Sequence, residues 1–205
     1  MIKKPSNYDN VEVMEFDHTP IELGAHKGII MKAEEYTSPQ SGKTSLKISA
    51  DTAKDDKQPE YFKEQYKNDV RIDRKWSNSA IKYVPIGEEE NQVKMLKSFI
   101  TAYENSNNCQ FDWNKDWEQL TNKKIGIVFG QEEYTSQDGT TKLATKLREF
   151  RSIDKIDNIK IPKVKLLDGN YVEYDEYIKK NVKLNTQKMK DMFGDIIVET
   201  SDLPF

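Results

Sequence analysis

Three groups of basic residues, two of them with an aromatic ring close by, carry the chemistry for which this chain is best equipped. In "TKLATKLREFR", Lys142, Lys146 and Arg148 recur at even spacing with Phe150, and Arg151 follows; Tyr134 stands on the run just before. Lys43 and Lys47 bracket "KTSLK", while Arg71, Arg74, Lys75 and Trp76 lie together in "RIDRKW". Cations at intervals neutralise phosphates, and rings between them offer faces on which unpaired bases stack. This is binding chemistry rather than bond-making chemistry. Any one of these groups is more commonly a solvated face, and only their sum favours a groove that tracks a nucleic-acid backbone.

Catalytic and metal patterns are poorly supported. "SPQSGKTS" holds the Gly-Lys-Thr that closes a phosphate-binding loop, but Thr37 replaces the opening glycine. The residues that follow alternate like a strand, whereas such a loop must open a helix. One cysteine, Cys109, and two histidines, His18 and His26, supply no zinc cluster, so both histidines read as surface or structural residues. Glu88 to Glu90 and Glu132-Glu133 could attract a hard cation. The first run also suits a helix N-terminus, and the second suits a charged sheet edge. No nucleophile and base pair suggests itself, and the expectation is a non-enzymatic protein without cofactor or metal.

The net charge of −3 excludes a uniformly basic binder, yet it hides an asymmetry. Residues 168–205 hold five bases and eight acids, so the rest of the chain is neutral overall. Residues 139–167 alone hold eight bases against three acids, and 191–205 hold Asp191, Asp195, Glu199 and Asp202 with no base. A basic stretch is followed by an acidic end. The lone cysteine and the polar first residues, "MIKKPSNYDN", predict a reducing cytoplasm, and "GIIM" is too short to span a bilayer.

The elements that must position these residues follow from periodicity. Ile29, Met31 and Ala33 fall on one side of an extended run that ends near Tyr36. After a break at Pro39 and Gly42, "TSLKISA" puts Leu46, Ile48 and Ala50 on one face. These runs predict a hairpin. The stretch from 53 to 85 is charged and only loosely β-like. Val93, Leu96, Phe99, Ile100 and Tyr103 then recur at helical spacing behind three glutamates. "KKIGIVFGQEEYTSQDGTTKLATKLREF" predicts a second hairpin turning at Asp138-Gly139, with Lys142, Ala144, Lys146, Arg148 and Phe150 on one face of its last strand. The order β-β-β-α-β-β predicts a mainly β chain, a five-stranded Greek-key barrel of the OB-fold type with its helix between strands 3 and 4. The expected organisation is an N-terminal arm (1–20), the barrel (21–167) and a C-terminal extension (168–205).

The segments "GIIMKAEEYTSPQSGKTSLKISA" and "LTNKKIGIVFGQEEYTSQDGTTKLATKLREF", with the helix between them, resemble the phage-encoded single-stranded DNA-binding proteins of Gram-positive bacteria. "SDLPF" resembles the acidic tip of bacterial single-stranded DNA-binding proteins, with Asp202, Leu203, Pro204 and Phe205 matching it one for one. The resemblance implies sequence-independent coating and protection of single-stranded DNA in phage replication and recombination, in the host bacterial cytoplasm. It implies a tip that recruits a helicase, primase, recombinase or nuclease, its Phe entering an apolar pocket and its acids meeting a basic rim. The sequence departs from that pattern in its thin acid run and in "NTQKMKDMFGDIIV", where Met189, Met192 and Phe193 fall at helical spacing. A homo-oligomer is compatible with this reading. The alternative is an OB-fold protein-interaction module, a recombination mediator or loader that does not itself coat DNA.

Overall fold

The computed structural model describes residues 3–10 and 19–181. These fold into a mainly β structure built on one mixed, open sheet of seven strands with helices packed against it. Strands β1 (Gly24–Thr37) and β2 (Thr44–Thr52) form the first hairpin, and β3 (Ile81–Pro85) adds to β2. Helix α1 (Tyr61–Asn68) fills the β2–β3 connection, and α2 (Glu90–Asn107) follows β3. Strands β4 (Lys124–Thr135) and β5 (Thr141–Arg151) form the second hairpin. A short ribbon, β6 (Val164–Lys165) and β7 (Tyr171–Val172), then pairs with β4, and residues 174–181 form a third helix, α3. Among the described residues no helix is long and apolar enough to cross a membrane.

The two predicted hairpins, a third strand and the helix between them and the second hairpin are present in the expected order, but a helix α1 intervenes between β2 and β3 and the five-stranded barrel is not closed. Long β1 serves two partners: residues from Gly28 onward pair with β2, while Gly24 to Ile29 pair with β4. The two hairpins are thereby joined through β1. Strands β3 and β5 then approach each other without a hydrogen-bonded ladder, so the sheet stays open along that seam. Two further strands, β6 and β7, make seven where five were expected, and they continue the sheet past residue 167.

Both hairpins carry a β-bulge, and each bulge overturns a face drawn by strict alternation. On β1 the pairing skips from Ile30↔Ala50 to Lys32↔Ser49, which leaves Met31 unpaired. Ile30 and Ala33 therefore face the core, in place of the expected Ile29, Met31 and Ala33. On β5 the pairing skips Arg148, between Phe129↔Leu147 and Val128↔Glu149. An extra residue on one strand turns every later side chain to the other face and increases local twist. Such twist curls a sheet toward a barrel.

The core lies between the curled sheet and α2. Ile30, Leu46, Ile48, Ile125, Ile127 and Phe129 meet Phe99, Ile100 and Tyr103 of the helix face, in line with its predicted periodicity. Gly28 allows the close crossing of β1 and β4, because a Cβ there would lie 2.8 Å from Ile127 Cγ2. Helix α1 was not foreseen from its charged sequence. It is anchored by Asp51, whose buried carboxylate accepts hydrogen bonds from the N–H groups of Phe62 (2.8 Å) and Lys63 (3.2 Å) at the helix start. Free N–H groups at a helix N-terminus attract such an acceptor.

Candidate nucleic-acid interface

The open seam gathers charge and aromatic surface. β3, β5 and the β6–β7 ribbon border a polar hollow of about 690 Å³ whose walls include Lys82, Lys146, Arg148, Lys165, Tyr83 and Tyr171. Glu132 is the single acidic side chain in that lining. The 3-10 turn at Asn78–Ala80 closes one end, where Lys146 Nζ donates to the Asn78 carbonyl at 3.4 Å.

Each wall follows from local structure. Strand alternation puts Lys146 and Arg148 on one side of β5 with Leu147 pointing inward, and the bulge at Arg148 changes only the faces that follow it. The Arg148 guanidinium stands 3.6 Å from Glu132 on β4 and 5.6 Å from the centre of the Tyr171 ring on β7. Gly130 leaves room for this arrangement, since a Cβ there would meet Arg148 Cγ and Pro162 Cβ, each at 3.0 Å. Burial pushes the Lys82 amine down from its usual range, and the neighbouring charge of Arg148 pushes it the same way. Two cations held together with little acid between them favour an incoming anion.

A second aromatic surface adjoins the seam. Glu34, Lys47 and Tyr83 are aligned across β1, β2 and β3, and Tyr36 packs on Tyr83 with ring centres 5.3 Å apart. Both tyrosines are exposed, Tyr36 at 38% and Tyr83 at 46%, so their faces are open to a partner. Lys47 Nζ lies 3.3 Å from Glu34, in a half-exposed pair of small energetic weight.

The residues expected to bind DNA are thus divided. Lys146 and Arg148 line the seam, and Lys47 lies beside Tyr83. Lys43 is exposed in the β1–β2 turn; Tyr134 and Lys142 are cross-strand partners near the β4–β5 turn, where Lys142 reaches Asp138 at 3.3 Å. Arg71 is held by Asp69 at 2.7 Å and Lys75 lies 3.7 Å from Asp73, both in the exposed 69–77 loop that also carries Arg74. The structure does not bring that loop's charges into the seam lining. Arg151 pairs with Glu149 at the end of β5.

Two expected stacking rings are corrected. Phe150 is a core residue, 8% exposed, packed on Phe99 with ring centres 5.0 Å apart. The bulge at Arg148 turns it inward, so Leu147 and Phe150 share the core face. Trp76 is half-buried against the core, and its indole N–H donates to the Ala50 carbonyl at 3.2 Å. Its ring is thus tied to the core on one side, and Tyr66 lies beside it with ring centres 6.0 Å apart. Asp202, Leu203, Pro204 and Phe205 lie outside the described residues, as does His18.

Sequence reasoning missed Tyr36, Lys82, Tyr83, Lys165 and Tyr171. "IKYVP" holds the alternation of a short strand, but its isolation among charged residues hid it. Lys165 falls within the basic stretch 139–167, and composition alone gives it no position in space. Tyr171 belongs to a two-residue strand, which periodicity cannot detect. The acidic pair considered for a cation is otherwise engaged: Glu132 faces Arg148, and Glu133 accepts from the Tyr177 hydroxyl at 2.8 Å and the Leu167 N–H at 3.1 Å. His26 is structural, buried between the Asp56 carboxylate at 2.8 Å and the Glu22 carbonyl at 3.1 Å. No protein-family model matches the chain, and no curated protein sequence matches it at a significant level.

Proposed function

We propose that this protein binds single-stranded DNA without sequence preference and performs no catalysis, and that the sheet is an OB-type barrel left open between β3 and β5. One observation carries the reading: Lys82, Lys146, Arg148 and Lys165 converge with Tyr83 and Tyr171 on one hollow along that seam. The four cations would neutralise backbone phosphates, and the exposed Tyr83 and Tyr171 would stack on bases, which duplex DNA keeps hidden. The likeness of the hairpin segments to phage single-stranded DNA-binding proteins supports a role in coating replication or recombination intermediates. Recruitment of a helicase, primase, recombinase or nuclease through Asp202 to Phe205 belongs to the same reading.

The test is tyrosine and tryptophan quenching by oligo-dT, by a hairpin stem and by oligo-dT at rising salt. Preference for the unpaired strand is expected, and equal affinity for the stem at the same salt would refute the proposal. Lys146→Glu with Arg148→Glu should weaken binding to all sequences and flatten the salt dependence, by about 0.7 in logarithmic slope per lost phosphate contact.

A second reading, a protein-interaction module that does not coat DNA, is favoured by one feature. Val70 and Ile72, in the 69–77 loop, are 79% and 106% exposed, and exposed aliphatic side chains set among charges suit a protein contact. Failure of oligo-dT to bind at low salt would select this reading.

A further inference from the structure

We propose that one base of the bound strand leaves the seam and inserts into a separate apolar cleft between α2 and the β3 and β5 edges. This inference rests on the single-strand reading of the seam and assigns a base-binding subsite beside it. The cleft has a volume of about 280 Å³ and shares Lys82 and Arg148 with the seam, so the two hollows meet across those side chains. Its other walls include Val84, Met95, Phe99 and Phe150.

The cleft's chemistry suits a heterocycle. Val84, Phe99 and Phe150 are nearly buried core residues whose edges form the floor, and Met95 is a wall that is 46% exposed. Methionine adapts its shape and makes favourable contacts with aromatic rings. A volume just below the ~300–1,000 Å³ of ordinary ligand pockets suits one ring system rather than a larger molecule. Glu149 also lines the cleft, and its carboxylate can accept from a base N–H; Arg151 holds it in place. At the mouth stand the desolvated Lys82 and Arg148. A phosphate neutralised there leaves its attached base facing the apolar floor, so one nucleotide would satisfy both hollows. A base taken out of water onto aromatic edges gains apolar burial that a surface stack gives only in part.

The experiment uses the full chain and the shortest oligo-dT bound at full affinity, in which the strand has no second register. A single abasic site is walked through every position, and affinity is measured for the unaltered protein, for Ser98→Phe and for Tyr83→Ala. Ser98 is an exposed α2 residue at the cleft, so a ring placed there fills it from the solvent side. One abasic position should weaken binding roughly fivefold to a hundredfold, in line with the loss of one stacked base. Ser98→Phe should erase that dip while the dips erased by Tyr83→Ala persist. If Ser98→Phe erases no dip although oligo-dT still binds, the cleft takes no base and the inference falls while the seam reading stands. If Ser98→Phe does not fold, a scan of the unaltered protein with no dip beyond those assigned to Tyr83 and Tyr171 (Tyr171→Ala) overturns it equally. If no oligonucleotide binds at all, both readings fall together.

Discussion

Arg148 Nη1 lies 3.6 Å from Glu132 Oε2 across the β4–β5 pair, and this contact holds the central cation of the seam in check. The pair is neither exposed nor fully buried, with side chains 16% and 31% accessible. Partial burial makes the carboxylate a real competitor for any phosphate that approaches Arg148. Glu132→Gln should therefore tighten oligo-dT binding by about two- to fivefold, the equivalent of ~0.5–1 kcal/mol for a partly exposed ion pair. It should also steepen the salt dependence by up to about 0.7 in slope if one more phosphate is engaged. Fluorescence titrations at several salt concentrations check both. Unchanged affinity and slope would mean that the strand does not reach Arg148.

Truncation at Phe150 should cost stability first, with affinity lost besides only where the α2 cleft takes a base, whereas truncation at Tyr83 should cost affinity alone. Phe150→Ala removes a ring packed on Phe99 in the core and should cost about 3–5 kcal/mol of stability. Tyr83→Ala removes an exposed ring. Its melting temperature should barely change, while oligo-dT affinity should fall by about 1–3 kcal/mol if one base stacks there. Thermal melts and titrations on the same two samples separate the roles. Loss of affinity in Phe150→Ala with an unchanged melt would restore that ring to the binding face.

How far the sequence could be read is set by the two bulges. The hairpin at Asp138-Gly139 was legible because Gly139 adopts φ 80° and Asp138 accepts from the Thr140 N–H at 3.0 Å, a local turn chemistry that needs no tertiary context. Helix α2 was legible because its buried face repeats over many residues. Met31 and Arg148 were not, since a bulge adds one residue to one strand only in relation to its partner. On β5 the face is right up to the bulge and reversed beyond it, at Lys146 and Phe150 respectively; on β1 it is wrong before the bulge, at Ile29, and right beyond it, at Ala33. The seam depends on two edges far apart in sequence. Lys82 and Tyr171, almost ninety positions apart, meet only because the sheet curls.

Removing Asp202 to Phe205 separates DNA binding from partner capture. If Asp191, Asp195, Glu199 and Asp202 compete with phosphate for basic surface, losing Asp202 relieves part of that competition, and the shortened chain should bind oligo-dT as well as before or slightly better. Capture of a replication or recombination protein should be lost. A fall of many degrees in melting temperature with no lost partner would instead make Leu203 and Phe205 structural residues.

The His26–Asp56 pair gives the fold a defined acid sensitivity. Both side chains are nearly buried, at 0% and 4% accessible, and the ring nitrogens face the Asp56 carboxylate and the Glu22 carbonyl. Burial pushes the Asp56 carboxyl up, but hydrogen bonds from His26 and the Gln58 N–H, the His26 charge and the Lys27 N–H outweigh it, leaving Asp56 below its usual 3.8. A carboxyl that is more acidic in the folded chain binds fewer protons there than in the unfolded chain. Its stabilisation is thus complete above about pH 4, the usual Asp value, and is lost as pH falls through the lower, folded value. Asp56→Asn should destabilise the protein near neutral pH, by about 3–5 kcal/mol, because the buried His26 ring loses its carboxylate partner. The gap between variant and parent should narrow as pH drops below about 4, because the parent then loses the same charge. Urea melts of both proteins at pH 7, 5 and 3 measure it. A gap that stays constant over that range would show that Asp56 acts through its hydrogen bonds to Lys27 and Gln58 alone, and that its charge contributes nothing.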